Sequence, residues 1–223
     1  MAHNRESPRP DIGSYNDAIA HLYDDITREG WHANRVVQPA LAHYEMTNPR
    51  SVLDVGAGTG QTIEAIKQFA NPGRIVAVDA SGRMLDRLRS KLPDVETVHA
   101  TAEDYAARAI ERFDLVTAIG SLEFVADLPN VMTALIKATR PNLLIATYIA
   151  RQENQEAERT FYSNTLGQAF TEYYWPQKAI EAAITEGGLY FNHWNRFEAY
   201  QRDEEMVIYN TIVAGSSLPE VYF

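Results

Sequence analysis

Apolar residues in this chain fall into two alternating kinds of run. Short β-branched stretches recur from Ser51 onward: "SVLDV" (51–55), "RIVAVD" (74–79), "VETVH" (95–99), "FDLVTAI" (113–119) and "LLIATYI" (143–149). Their near-continuous apolar character predicts parallel strands buried on both faces. Between them, apolar residues take helical spacing, as at Ile63, Ile66 and Phe69, then Met84, Leu85 and Leu88, then Val131, Leu135 and Ile136. Repeated βα units of this kind predict an α/β fold with a doubly wound, Rossmann-like sheet and helices on both faces.

The two ends follow other patterns. Tyr15 to Glu29 and Ala33 to Tyr44 predict helices that form an N-terminal helical cap. A polar, aromatic-rich segment (151–175) precedes a helix starting near Pro176, and Gly187 and Gly188 end it. "LYFNHWNRFEAY" and "EEMVIYNTIVAG", joined by the charged turn "QRDE", predict an antiparallel hairpin that finishes the sheet. There are no internal repeats and no low-complexity segment.

Composition narrows the function classes. A chain of 223 residues with 45% hydrophobic content supports one sizeable core, so a single domain over 1–223 is expected. Its parts would be a tail and cap (1–48), a ligand-binding core (49–150), and an acceptor-side segment with the C-terminal hairpin (151–223). Lys and Arg total 20 against 30 Asp and Glu, a formal net charge of -10, which disfavours a long nucleic-acid or anionic-membrane footprint. The absence of cysteine removes disulfides, thiolate metal sites and cysteine nucleophiles. "MAHNRESPRPD" is polar and lacks the apolar stretch of a signal peptide, and no apolar run approaches the roughly 20 residues of a membrane span. A soluble, cytoplasmic protein is the expectation.

The candidate chemistry lies in "VLDVGAGTG" (52–60). A strand, a glycine turn and a helix lie in this fold at the C-terminal ends of the central strands, where ligands bind. Gly56, Gly58 and Gly60 permit unusual backbone angles and close approach. A dinucleotide fingerprint needs its third glycine at position 61, which is Gln61. Asp54 precedes the turn and suits a ligand with a positive end better than a pyrophosphate. Asp79, 19 residues after Gly60, ends the next strand, where a carboxylate accepts from both hydroxyls of a ribose; it would also serve as a cap for the helix "ASGRMLDRL". A nucleoside carrying a cationic group fits both acids.

In this order and spacing, "VLDVGAGTG", "VAVDAS", "TAEDY" and "FDLVTAIGSLEFVADL" resemble the successive motifs of class I S-adenosylmethionine-dependent methyltransferases. The resemblance covers roughly 50–150, and with the hairpin it implies a seven-stranded sheet whose last strand is antiparallel. "YNDAIAHLYDDITREGWHANRVVQPAL" further resembles the "YDxWAxxYDxxxxxxGY" opening of small-molecule methyltransferases, including those related to the Williams-Beuren region protein. The family implies S-adenosylmethionine as cofactor, S-adenosylhomocysteine as product, and a small-molecule acceptor methylated on O, N or C. It implies that Gly56, Ala57, Gly58 and Gly60 lie against the methionine part, that Asp54 faces its ammonium and that Asp79 holds the ribose. Ala80 and Met84 would line the adenine, and Ala102 with Glu103 or Asp104 would reach the adenine edge. Thr101 departs from a common pattern that has Asp there. Ile119 and Gly120 complete the implied contacts, and Tyr15 and Tyr23 match tyrosines that close the site in relatives.

Several residues carry two readings. Tyr15 and Tyr23 also suit packing of the cap on the domain. Phe124 stands where many relatives have a histidine, which leaves Glu123 and His193 as catalytic candidates. Glu123 equally suits a capping or solvated acid, and His193 a partnered structural role. Phe161, Tyr162, Phe170, Tyr173, Tyr174 and Trp175 read either as a helix packed on the sheet edge or as an apolar wall of the acceptor pocket. His21, His32 and His43 have no metal-ligand spacing, so no metal is expected. The rival functions are a binder of the same cofactor that does not methylate and an NAD(P)-dependent oxidoreductase.

Overall fold

The structure, a computed structural model, describes residues 11–27, 32–108, 111–139, 143–163, 166–193, 195–202 and 205–216. The predicted tail, the end of the first cap helix at Glu29 and most of the tip of the C-terminal hairpin lie outside the described residues, as does the His193 side chain. Two short helices, α1 (Ile12–Ile19) and α2 (Tyr23–Ile26), are followed by a π-helical turn (His32–Val37) and α3 (Gln38–His43). The central region then runs β1 (Ser51–Val55), α4 (Gln61–Phe69), β2 (Arg74–Asp79), α5 (Gly82–Lys91), β3 (Glu96–His99), α6 (Ala102–Ala106) and β4 (Leu115–Ala118). A 3₁₀ turn (Leu122–Phe124), α7 (Leu128–Thr139) and β5 (Leu143–Tyr148) complete it. The last third holds β6 (Glu158–Ser163), β7 (Gln168–Tyr173), α8 (Gln177–Glu186), β8 (Tyr190–His193), β9 (Arg196–Arg202) and β10 (Glu205–Gly215).

Among the described residues the main sheet runs β3-β2-β1-β4-β5-β10-β8, with β9 also paired to β10. The strands from β3 to β5 are parallel, and β10, last in the chain, enters antiparallel to β5. β8 and β9 follow one another along the other edge of β10 as one interrupted strand: β9 pairs with Glu205–Asn210 and β8 with Val213–Gly215. The sheet is therefore seven strands wide, as the resemblance implies.

Side-chain alternation divides the core in two. Val52, Ile75, Leu115 and Ile145 face the π-helical turn, α3, α4 and α5, while Leu53, Val76, Val116 and Leu144 face α7 and α8. Each fully buried aliphatic side chain contributes about 1.5–3 kcal/mol, so covering both faces is what makes the near-continuous apolar strands stable. Helix starts are set locally. Ser81 accepts from the Met84 amide at 3.1 Å to cap α5, and Thr101 caps α6 through the Asp104 amide. Gly188, at φ +76°, turns the chain out of α8.

Three expectations are corrected. The first predicted cap helix breaks after Ile19, and α2 turns so that Asp24 reaches the glycine turn and α5 instead of continuing one helical face. The second begins as a π-helical turn before α3. The aromatic segment is no helix: 158–163 and 168–173 pair as the antiparallel hairpin β6–β7, in which Phe161 and Phe170 pair directly with ring centroids 5.2 Å apart.

Candidate active site

The C-terminal ends of β1, β2 and β4 meet at the point where strand order reverses, between β1 and β4. Asp54 is 1% exposed; its Oδ1 accepts from Thr117 Oγ1 on β4 at 2.7 Å. Its Oδ2 is buried with no hydrogen-bond partner among the described residues. Burial raises the Asp54 pKa to about 7; Thr117 opposes the rise and the negative charge of Asp79 adds to it. A buried carboxylate with one unused oxygen is completed by a cation, and an ammonium group fits it.

The three glycines do different things. A Cβ at Gly56 (φ +77°) would sit 2.2 Å from the Cβ of Ser121, whose hydroxyl donates to the Val55 carbonyl at 2.9 Å. A Cβ at Gly60 (φ +94°) would press on Leu88 and Leu92 at 3.1 Å. At Gly58 (φ +54°) the nearest atom is Cε1 of Tyr23 at 3.9 Å. Gly56 and Gly60 thus serve close packing, and Gly58 alone of the three leaves room for a ligand against the backbone.

Asp79 ties the site together. Its Oδ2 accepts from the Gly58 amide and its Oδ1 from the Ser81 amide, both at 2.7 Å. The cap of α5 is Ser81, so the capping role considered for Asp79 falls to its neighbour. Burial raises the Asp79 pKa, against the two amides that favour its charged form.

The N-terminal helices cover this region. A Cβ at Gly13 would meet the Ala80 carbonyl at 2.6 Å, so α1 lies directly on the end of β2. Asp17 accepts from Ser81 Oγ at 2.6 Å and from the Arg83 amide at 3.0 Å. Asp24 accepts from Thr59 and Gln61 and pairs with Arg87 and Lys91. Tyr23 lies over Gly58, and its phenol pKa is raised by burial and then by Asp79, Glu123 and Asp24. Tyr15 packs on Phe170 of β7, with centroids 4.6 Å apart, so the two tyrosines occupy different helices and contact different parts of the roof.

The remaining candidates spread around this centre. Met84 is fully buried on the first turn of α5, and Ala80 is partly exposed at the end of β2. Ala102 starts α6 against the α7 side of the core, while Glu103 accepts from the Ala126 amide at 2.9 Å and so fixes the loop after the 3₁₀ turn. Ile119 is buried at the end of β4, and Gly120 (φ +67°) donates its amide to Thr147 Oγ1 at 2.8 Å. Ala57 donates its amide to the Val78 carbonyl at 3.0 Å.

Glu123 is 1% exposed and accepts from the Tyr209 hydroxyl on β10, so the reading of a solvated acid is set aside. His193 pairs through its backbone with Val213 at the sheet edge. Sequence reasoning missed Thr117, Ser121, Asp17, Asp24, Glu172 and Tyr209. Asp17 and Asp24 carried a usable signal, acids within a helix that otherwise packs on a domain; Glu172 and Tyr209 carried none beyond alternation in strands. Among the described residues no group of three or more His, Asp or Glu could hold a metal ion, and no helix is long and apolar enough to cross a membrane.

Residues 52–142 match the model of a methyltransferase domain family. The chain is 25% identical to a trans-aconitate 2-methyltransferase of Paracidovorax citrulli over 146 residues, which cover 66% of this chain and 54% of that one. It is 30% identical to a malonyl-[acyl-carrier protein] O-methyltransferase of Halorhodospira halophila over 142 residues, covering 59% and 46%. Among solved structures it resembles a magnesium protoporphyrin IX methyltransferase of Synechocystis with bound SAH (TM-score 0.66, 14% identity, 92% of this chain and 98% of that one). A methyltransferase from Clostridium acetobutylicum gives TM-score 0.66 at 16% identity, covering 90% and 98%. Residues 52–142 thus carry the likeness to a methyltransferase domain, and the sheet order is that of a doubly wound α/β fold. The chain spans about half the length of the curated relatives it matches.

Proposed function

We propose that the chain transfers a methyl group from S-adenosylmethionine to an O, N or C atom of a small-molecule acceptor, by in-line displacement. The observation that carries the reading is the pair formed by the unpartnered, buried Asp54 Oδ2 and the open backbone at Gly58, three residues past the end of β1. Asp54 would hold the ammonium of the donor's amino-acid part, and Gly58 would lie against that part. Asp79 would turn to the ribose hydroxyls, with Ala80 and Met84 toward the adenine. When bound, the donor supplies a methyl carbon on a sulfonium, already a good leaving group.

The chain's own residues then have to position the acceptor and exclude water. Orientation alone can supply roughly 7–11 kcal/mol of a barrier. The cap, through Tyr15 and Tyr23, and the hairpin β6–β7, through Phe170, form the roof that does this. A small acceptor in a cytoplasmic setting, with no nucleic-acid or membrane partner, fits the net charge of -10 and the small-molecule acceptors named for several relatives. We also read the chain as one domain. A thermal shift with S-adenosylmethionine and S-adenosylhomocysteine tests the donor, and mass spectrometry of acceptor mixtures tests the transfer.

A further inference from the structure

Among the described residues β3 is the outermost strand of the main sheet at its end of the strand order, and His99 ends it directly beside Asp79 in the parallel register. Although His99 is exposed, its ring turns back over the end of β2. Its Nε2 lies 2.9 Å from the Ala80 carbonyl, and the ring covers Gly82 at the start of α5, where a Cβ would stand 3.4 Å from His99 Cε1. A carbonyl oxygen only accepts, so Nε2 carries the proton and donates it. One side chain thus joins β3, the turn after β2 and α5.

The turn that His99 reaches is held from several sides. Ala100 donates its amide to the Asp79 carbonyl at 3.0 Å, and the Asp79 carboxylate accepts from the Gly58 and Ser81 amides. Asp17 of α1 accepts from Ser81 Oγ and the Arg83 amide, and α1 approaches the Ala80 carbonyl so closely that only a glycine fits at position 13. Among the described residues, His99 is the group that donates to that carbonyl. Water competes for an exposed hydrogen bond, so this one adds ~1 kcal/mol or less to stability. Its larger consequence is local: it sets where Ala80 sits relative to the Asp79 carboxylate one residue away.

We propose that His99 is a positioning residue for the nucleoside half of the methyl donor. By tethering the Ala80 carbonyl from the sheet edge, it fixes the spacing between the carboxylate of Asp79, which takes the ribose, and Ala80 and Met84, which take the adenine. The inference rests on the methyl-donor reading and adds to it a residue outside the glycine turn and the two acids. His99 acts through Ala80 and touches none of the reacting atoms. A turn already set in its binding geometry leaves less ordering for the ligand to impose, and affinity rises accordingly.

Two substitutions in the full chain separate the donated hydrogen from the ring. His99→Phe keeps a flat ring over Gly82 and removes the donor, whereas His99→Gln removes the ring and keeps an N–H at the same reach from the backbone. Calorimetric titration with S-adenosylhomocysteine and with adenosine, at pH 8, compares both variants with wild type. His99→Phe should weaken both ligands by about fivefold, the equivalent of one hydrogen bond of ~1 kcal/mol. His99→Gln should restore both to within about twofold of wild type, and melting temperatures should stay close to wild type because the bond is exposed. Wild-type affinity in His99→Phe, no recovery in His99→Gln, or a loss for S-adenosylhomocysteine that adenosine does not share overturns the role of His99. Failure of the wild-type chain to bind S-adenosylhomocysteine overturns the donor reading and this inference with it, so the two failures are distinguishable.

Discussion

Asp54 and Thr117 join β1 to β4 through one hydrogen bond of 2.7 Å, and the other oxygen of Asp54 stays buried without a partner among the described residues. The folded-state pKa of about 7 lies above the unfolded value near 3.9. The folded chain therefore holds this proton more tightly than the unfolded one. The resulting stability is fully present below about pH 4, declines as pH rises, and is gone above about pH 7. Asp54→Asn should be more stable than wild type at pH 8 by ~1 kcal/mol or more, with the difference shrinking toward pH 5. Melting curves at pH 5, 6.5 and 8 decide this, and a pH-independent difference contradicts the assignment.

The glycines separate packing from binding. Gly58→Ala places a methyl group in ordinary contact with Tyr23, 3.9 Å away, at φ +54° and should lose only ~1–2 kcal/mol of stability, as an L residue does in that region. Ligand affinity should nonetheless fall tenfold or more. Gly56→Ala should be far more destabilising because of Ser121, and Ser121→Gly should recover part of the loss. Denaturant unfolding of the three single variants and the Gly56→Ala, Ser121→Gly pair measures both effects.

Asp79 has a structural duty that a ribose-binding role alone does not require. Asp79→Ala leaves the Gly58 and Ser81 amides without their acceptor, each a loss of roughly 1–3 kcal/mol. For a chain of this size that lowers Tm by roughly 4 °C or more. Unchanged Tm in calorimetry would show that the two amides find other acceptors.

Asp24 anchors the cap. Burial pushes its pKa up, but the hydrogen bonds from Thr59 and Gln61 and the charge of Lys91 outweigh this and hold it below the ordinary range. Because that pKa is depressed, the anchoring is present above about pH 4 and is lost as pH falls further. Asp24→Ala should raise amide exchange across 12–27 while leaving β1, β2 and β4 protected. Hydrogen exchange with mass spectrometry reads both regions at once, and equal protection in the variant would remove Asp24 as the anchor.

The bounds of β1 and β2 coincide with "SVLDV" and "RIVAVD" because both faces of these strands are covered, so the apolar run and the strand have the same length. The acids of the donor side, Asp54 and Asp79, were legible because each sits at a fixed place relative to such a run. The hairpin β6–β7 was not. Only Phe170, Glu172 and Ala169 of β7 are buried and β6 is largely exposed, so no apolar run marks the strands. The same local cause hid Glu172, a charged residue that becomes buried only when the hairpin folds over the 3₁₀ turn. The division of labour among the glycines was hidden too, since it depends on Ser121 and Leu88, distant along the chain from Gly56 and Gly60.

The most direct measurement is the melting temperature of the chain with S-adenosylhomocysteine at about 100 times its dissociation constant, beside NADH at the same concentration. S-adenosylhomocysteine should stabilise the fold by about 2.7 kcal/mol, roughly 5–10 °C, and NADH should leave Tm unchanged. The shift should fall to about half or less in Gly58→Ala. A shift with NADH, or none with S-adenosylhomocysteine or S-adenosylmethionine, would contradict the account.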